Sequence, residues 1–383
     1  MSEGLRAMAE RQGGTRGRRS RLLLALMPAG MFSLVLGLWS GLERLGWALP
    51  APHPGLALAH GPLMISGFLG TLIGVERAVA LGGGWAAIAP AATALGALAL
   101  ILGAPEPIAP AAMAVGSAAL VAVFAAVLRT ERLLGTVVMG LGAVAWLVGN
   151  VLWLGGGGIP QVVSWWLGFL VLTIAGERLE LNRVLRLSRA RRAVFAASIA
   201  LLAAGLFRGG LFTADGARLT GLALLALAAW LAASDVARRT LRQAGLPRFT
   251  ALCLLSGYLW LGVGGALALR FGAVTAGPAY DAVLHAVLLG FVFSMVCGHA
   301  PIVFPAIVGL PIPFHRRFYA HLGLLHGSLV VRVCGDVFAL AEPRAWGGAL
   351  NAVSAVLFLL NTAWAGLAAR GAPAARPAGG ART

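Results

Sequence analysis

Histidine is the side chain in this sequence best suited to hold a metal, and its placement is uneven. Five of the seven histidines, His285, His299, His315, His321 and His326, fall between Asp281 and Gly327. A sixth, His60, opens the apolar run HGPLMISGFLGTLIGVERAVAL. Most of them lie in apolar runs long enough to cross a bilayer, where an ionisable group is costly and points to a function. Imidazoles placed there could hold a metal ion or a haem iron.

The rest of the composition supports a membrane setting. Of 383 residues, 59% are hydrophobic and only 11% are charged, against about 25% charged in soluble domains. The mean hydropathy is +0.87. The formal charge is +17, carried by 30 basic residues that are all arginine. Most of these arginines lie between apolar runs and are not interleaved with aromatics, so nucleic acid is not an expected partner and the lipid bilayer is. Cys253, Cys297 and Cys334 stand singly in apolar runs, without a CxxC or CxxCH element, which excludes zinc ribbons and c-type haem attachment as readings. No Walker A, GxSxG or HExxH element occurs.

The apolar runs predict an all-α, polytopic bundle of about twelve helices near 22–41, 55–76, 84–103, 108–128, 133–154, 161–181, 193–207, 217–236, 249–270, 279–309, 317–340 and 346–369. The seventh is short, and Pro301 and Pro305 are expected to bend or end the tenth. Residues 1–21 and 371–383 read as disordered tails flanking one transmembrane domain over 22–370. With both termini cytoplasmic, 24 arginines fall on the inner side and six on the outer. The positive-inside rule then predicts an inner-membrane protein of a bacterium with both ends cytoplasmic and the GGGGIP loop outside.

That orientation gives each histidine a depth. His60 and His285 lie on helices running in the same direction, five and six residues from their outer ends, roughly 8–9 Å in at about 1.5 Å per residue. Two imidazoles at one depth could be the axial ligands of a b-type haem. Asp281, four residues before His285, could take the proton of its non-ligating nitrogen. Small residues near them, Gly61, Ser66, Gly67, Gly70, Ala286 and Gly290, would admit a macrocycle; they equally suit ordinary close packing of helices. His299 lies 14 residues past His285, nearly four turns, so on the same face but about 21 Å deeper. His299, His321 and His326 form a second, inner set of metal-ligand candidates, although His321 and His326 differ by about 140° around their helix. Glu76, Glu177 and Glu180 at inner helix ends suit a proton path or a ligand set. They also suit interfacial ion pairs with Arg77, Arg178 and Arg183. Adjacent Glu-Arg residues are not expected to face each other on a helix. HGPLMISGF and HAVLLGFVF echo each other, without a convincing repeat of the halves.

The stretches HAVLLGFVFSMVCGHAPIVF and HLGLLHG resemble the NnrS family of bacterial membrane haem proteins, itself similar in layout to the catalytic subunit of haem–copper oxidases and nitric oxide reductases. The resemblance spans 55–180 and 279–340. It implies a twelve-helix layout with a low-spin haem b held by His60 on the second helix and His285 on the tenth. It also implies a second haem or copper, a redox partner, a small gas ligand such as nitric oxide, and a role in denitrification or nitrosative stress. The chain departs from the larger group where copper ligands are expected: the sixth helix offers Glu177 and Glu180, and the seventh no ligand. Whether such a protein turns over a substrate stays open. A proton- or ion-coupled transporter or metal permease, and an assembly factor for a respiratory enzyme, are the alternative functions.

Overall fold

The computed structural model describes residues 25–371 apart from 51, 83, 186 and 310. The two tails predicted as disordered, and Arg183 as an ion-pair partner, lie outside the described residues. Among the described residues the chain is helical with no strand. Twelve long helices occur: α1 Ala25–Arg44, α2 Leu56–Ala80, α3 Gly84–Ile101, α4 Ile108–Thr130, α5 Leu134–Leu154, α6 Ile159–Leu181, α7 Arg189–Phe207, α8 Ala214–Ser234, α9 Leu246–Phe271, α10 Gly277–Pro305, α11 Phe318–Val337 and α12 Ala341–Gly371. Eleven of them are long and apolar enough to cross a membrane. The exception, α11, carries His321, His326, Arg332 and Asp336, polar groups that lower its hydropathy and that turn out to face protein. The chain is a multi-pass membrane protein.

Helix breakers act as the sequence suggests, with one refinement. Gly155–Gly158 separate α5 from α6, and Pro160 sits in the first turn of α6, where its missing N–H costs nothing. Pro301 and Pro305 do not end α10; the helix continues through both to Val308 and stops at Gly309, whose φ of 72° is left-handed. A residue without Cβ takes that conformation readily. The seventh helix is longer than expected because the arginines of the RARR segment, from Arg189, already form its first turn.

Consecutive helices pack as neighbours, α3 on α4, α4 on α5, α5 on α6, α7 on α8, α8 on α9 and α11 on α12. Three helices are buried more deeply than the rest. In α2, α6 and α10, 61%, 72% and 67% of the most apolar window is buried, against 28–56% in the other spans so measured. Helix α10 touches both α2 and α6, so these three run together through the middle of the bundle. They run in one direction, since an odd number of spans separates each from the next.

Both α2 and α10 depart from α geometry at matching places. Leu63–Gly70 in α2 and Ala286–Phe293 in α10 are π-helical. Each follows closely on a histidine, His60 or His285. π-Helical turns are rare and concentrate at functional sites. Each also uses a glycine to admit a tryptophan: a Cβ on Gly70 would collide with Trp146 of α5, and one on Gly290 with Trp260 of α9. The faint likeness of HGPLMISGF to HAVLLGFVF is thus a likeness of local structure.

Near the other end of the bundle a buried ion pair ties α6 to the start of the α8–α9 connection. The Arg178 guanidinium donates from Nε and Nη2 to the two Asp235 oxygens at 2.8 and 2.9 Å. The Tyr258 hydroxyl and the Ala237 N–H donate to the same carboxylate at 2.6 and 2.7 Å. A buried pair is tolerable when its remaining lone pairs are satisfied in this way. Arg178 is therefore not available to Glu177 or Glu180.

Candidate functional site

The structure brings His60 and His285 face to face across α2 and α10. Their ring centroids are 6.1 Å apart and their planes differ by 20°. Each ring has one nitrogen committed. His60 Nδ1 donates to the Gly37 carbonyl of α1 at 2.7 Å, and His285 Nδ1 donates to the Asp281 carbonyl at 2.9 Å. A carbonyl can only accept, so Nδ1 carries the proton in both rings and Nε2 keeps its lone pair. This is how metal-ligating imidazoles are oriented from behind. Gly41 lets the ring of His60 lie against α1, since a Cβ there would come within 2.8 Å of Nδ1 and Cε1.

The expected role of Asp281 needs correction. Its backbone carbonyl, not its carboxylate, takes the His285 proton; Oδ1 stands further off at 3.3 Å. The carboxylate is held by Arg332 of α11 at 2.8 Å and Arg344 of α12 at 3.3 Å, and Arg344 Nε also pairs with Asp336 at 2.7 Å. Arg332, Arg344, Arg44 and Tyr280 thus join the site unforeseen. The available signal was an Arg and an Asp four residues apart, Arg332 and Asp336, within an apolar run. Between the rings and the arginines lies a cavity of about 130 Å³, walled chiefly by aliphatic side chains such as Leu38, Met64, Val163 and Leu288.

The inner set divides. His299 Nδ1 donates to the Met295 carbonyl at 2.7 Å, the same backing that His285 has from four residues upstream. His299 Nε2 is buried and has no hydrogen-bond partner among the described residues. It lines a second cavity, of about 100 Å³, together with Glu76 of α2 and Glu177 of α6. Arg77 pairs with Glu177 across the helices and with its own neighbour Glu76 at 3.1 Å. The Glu-Arg neighbours therefore do meet: the long Arg77 side chain folds back while bridging to α6. Glu180 instead accepts from the Thr136 hydroxyl of α5 at 2.5 Å.

His321 and His326 do not join His299. Trp260 Nε1 donates to His326 Nδ1 at 3.0 Å, and His326 Nε2 lies 2.8 Å from the Ser256 hydroxyl. Both ring nitrogens are occupied, which leaves no lone pair for a metal. His321 is buried among Phe249, Phe318 and Phe358, and Asn361 Nδ2 donates to its Nδ1 at 3.2 Å. These two histidines close polar gaps between α9, α11 and α12. His315 packs against Trp364 beyond the end of α10. Among the described residues no three His, Cys, Asp or Glu side chains converge closely enough to form a metal cluster.

Fold and site together define a multi-pass, all-α membrane protein with an opposed pair of backbone-anchored imidazoles between two of its central helices. The chain belongs to the family described as Domain of unknown function (DUF8744), which matches residues 21–367. No curated protein matches it.

Proposed function

We propose that the protein is a haem-binding protein of the bacterial inner membrane, both termini cytoplasmic, in which His60 and His285 are the two axial ligands of a b-type haem. One observation carries this reading: two opposed imidazoles, each with Nδ1 tied to a carbonyl, have centroids 6.1 Å apart. Metal–imidazole bonds of about 2 Å on either side of a central ion separate two ring centroids by roughly that much. Direct ring stacking would bring them closer.

The donor set suits the group. Two neutral imidazoles supply the axial positions of a low-spin haem. Arg44, Arg332 and Arg344 beside them offer charge-assisted donors to its carboxylates. The volume suits it less well: pockets for ligands of cofactor size hold about 300 Å³ or more, and this cavity holds about 130 Å³. Met64, an unbranched side chain at the wall, and the leucines around it must therefore move aside on binding.

A bound haem supplies one-electron chemistry and, where an axial position opens, gas binding. The protein's part is to hold the imidazoles neutral, fix their tautomers and keep water from the apolar walls. This fits a role in nitric oxide handling or nitrosative stress, by electron transfer or by binding the gas, as the NnrS resemblance implies. The test is the absorbance spectrum of the purified protein expressed with ample haem. A six-coordinate, low-spin spectrum with one haem per chain supports the reading. Wild-type protein without haem overturns it and returns the histidines to an ion- or proton-coupled transporter. One metal ion per chain without a haem spectrum keeps the histidine pair but replaces the macrocycle with a bare ion.

A further inference from the structure

The Glu76–Glu177–His299 cavity offers only acceptors to an occupant, apart from Arg77 at its rim. His299 Nδ1 is spent on the Met295 carbonyl, so Nε2 faces away from its own helix as a buried lone pair with no partner. The carboxylates of Glu76 and Glu177, bridged by Arg77, are acceptors as well. The remaining walls are mostly aliphatic, among them Leu72, Ile73, Leu170 and Val303. Leu72, Ile73, Val303 and Phe304 are only half-buried, so this side of the cavity is not sealed by protein. Its volume of about 100 Å³ is of the order that takes a single six-membered ring; an engineered apolar cavity of about 150 Å³ binds benzene. Leu69 lines this cavity and the His60–His285 cavity alike, so one layer of side chains separates them.

An occupant that matches these features has a one-ring apolar body, hydroxyl donors at its edge, and access from lipid. We infer that this cavity binds the headgroup of a membrane hydroquinone of the benzoquinol class and oxidises it, with electrons passing across Leu69 to the haem. The inference rests on the haem reading for its electron acceptor, but the binding site does not. The hydroquinone loses two O–H protons and two electrons and becomes the quinone, while two ferric haems in succession each take one electron and become ferrous. One proton goes to His299 Nε2 and the other to a carboxylate of Glu76 or Glu177. Arg77, already between those carboxylates, holds the second one ionised when the first is protonated.

The experiment uses the full chain in lipid nanodiscs and a decyl-substituted benzoquinone and its quinol. Binding is read from saturable quenching of tryptophan fluorescence by the quinone. Electron transfer is read from haem absorbance after adding the quinol, with dithionite giving the fully reduced reference. The expected result is saturable binding and haem reduction in the wild type. His299→Ala should slow reduction by quinol at least tenfold with the dithionite-reduced spectrum unchanged, and Leu72→Trp, which fills the cavity from its half-buried side, should do the same. Equal reduction in the wild type and both variants, absence of saturable binding, or a metal ion lost with His299→Ala would overturn the assignment while leaving the haem reading intact. Wild-type protein without haem that still binds the quinone, and loses that binding in both variants, would overturn the haem reading and keep the cavity's occupant.

Discussion

Helices α2 and α10 solve one problem twice, and their differences are more informative than their likeness. Each carries a histidine near one end, a π-helical stretch just after it and a glycine seated under a tryptophan from the neighbouring hairpin. Each ends near the second cavity with an ionisable group, Glu76 or His299. The backing differs. His60 leans on a carbonyl of α1, while His285 leans on its own helix, and that helix is braced by Asp281 against two arginines. A matched pair of ligands is thus held by unmatched supports: one soft and local, one ionic and spread over three helices.

The largest test of the likeness is removal of either ring. His60→Ala and His285→Ala should each abolish the six-coordinate spectrum, leaving a five-coordinate haem or none, while His326→Ala retains it; absorbance of the purified variants checks this. Unequal loss would mean that one imidazole alone carries the cofactor. The difference in backing is tested by Asp281→Asn, which strands Arg332, a side chain only 9% exposed. Breaking a buried pair by removing one partner costs about 3–5 kcal/mol, so thermal unfolding of this variant in detergent should fall clearly, by roughly the lower figure. No single carboxylate change on α2 near His60 has an equivalent effect.

Smaller changes address the π segments. Gly70→Ala and Gly290→Ala each force a methyl group into a tryptophan ring and should cost about 1–3 kcal/mol as overpacking. Equal losses would support the structural likeness. Least of all are the tryptophan N–H groups. Trp146 donates to Ser66 at 2.9 Å and Trp260 to His326 at 3.0 Å. Replacing either by Phe removes about 1 kcal/mol of hydrogen bonding. Trp260→Phe should cost more, because it leaves a buried imidazole nitrogen bare, whereas Ser66 can turn its hydroxyl to its own helix.

Depth along each helix was legible in the sequence; direction around it was not. The apolar runs place all twelve helices within a few residues, and the equal depth of His60 and His285 anticipates their meeting. What a side chain touches depends on partners far along the chain. Asp281 meets Arg332 and Arg344, 51 and 63 residues away, and His326 meets Trp260 and Ser256, 66 and 70 away. Those contacts moved the Asp281 carboxylate off His285 and withdrew His326 from metal binding. No local pattern specifies them. The helix count of 3.6 residues per turn also fails across a π segment, where the bonds run to the fifth residue, so the face shared by His285 and His299 could not be counted from spacing alone.

Those segments also set a rule for length. A π turn takes in more residues than an α turn, and removing one residue from it lets the helix relax to α geometry. In α10 such a deletion between His285 and His299 would turn everything beyond it by about 100° relative to the first ring. The imidazole at one end would stay in place while the one at the other end swung out of its cavity. The separation of 14 residues between them, and of 16 between His60 and Glu76, is therefore a gauge. Related chains can vary what lies between these pairs of residues, but one that is a single residue shorter there cannot keep both of its cavities lined in this way.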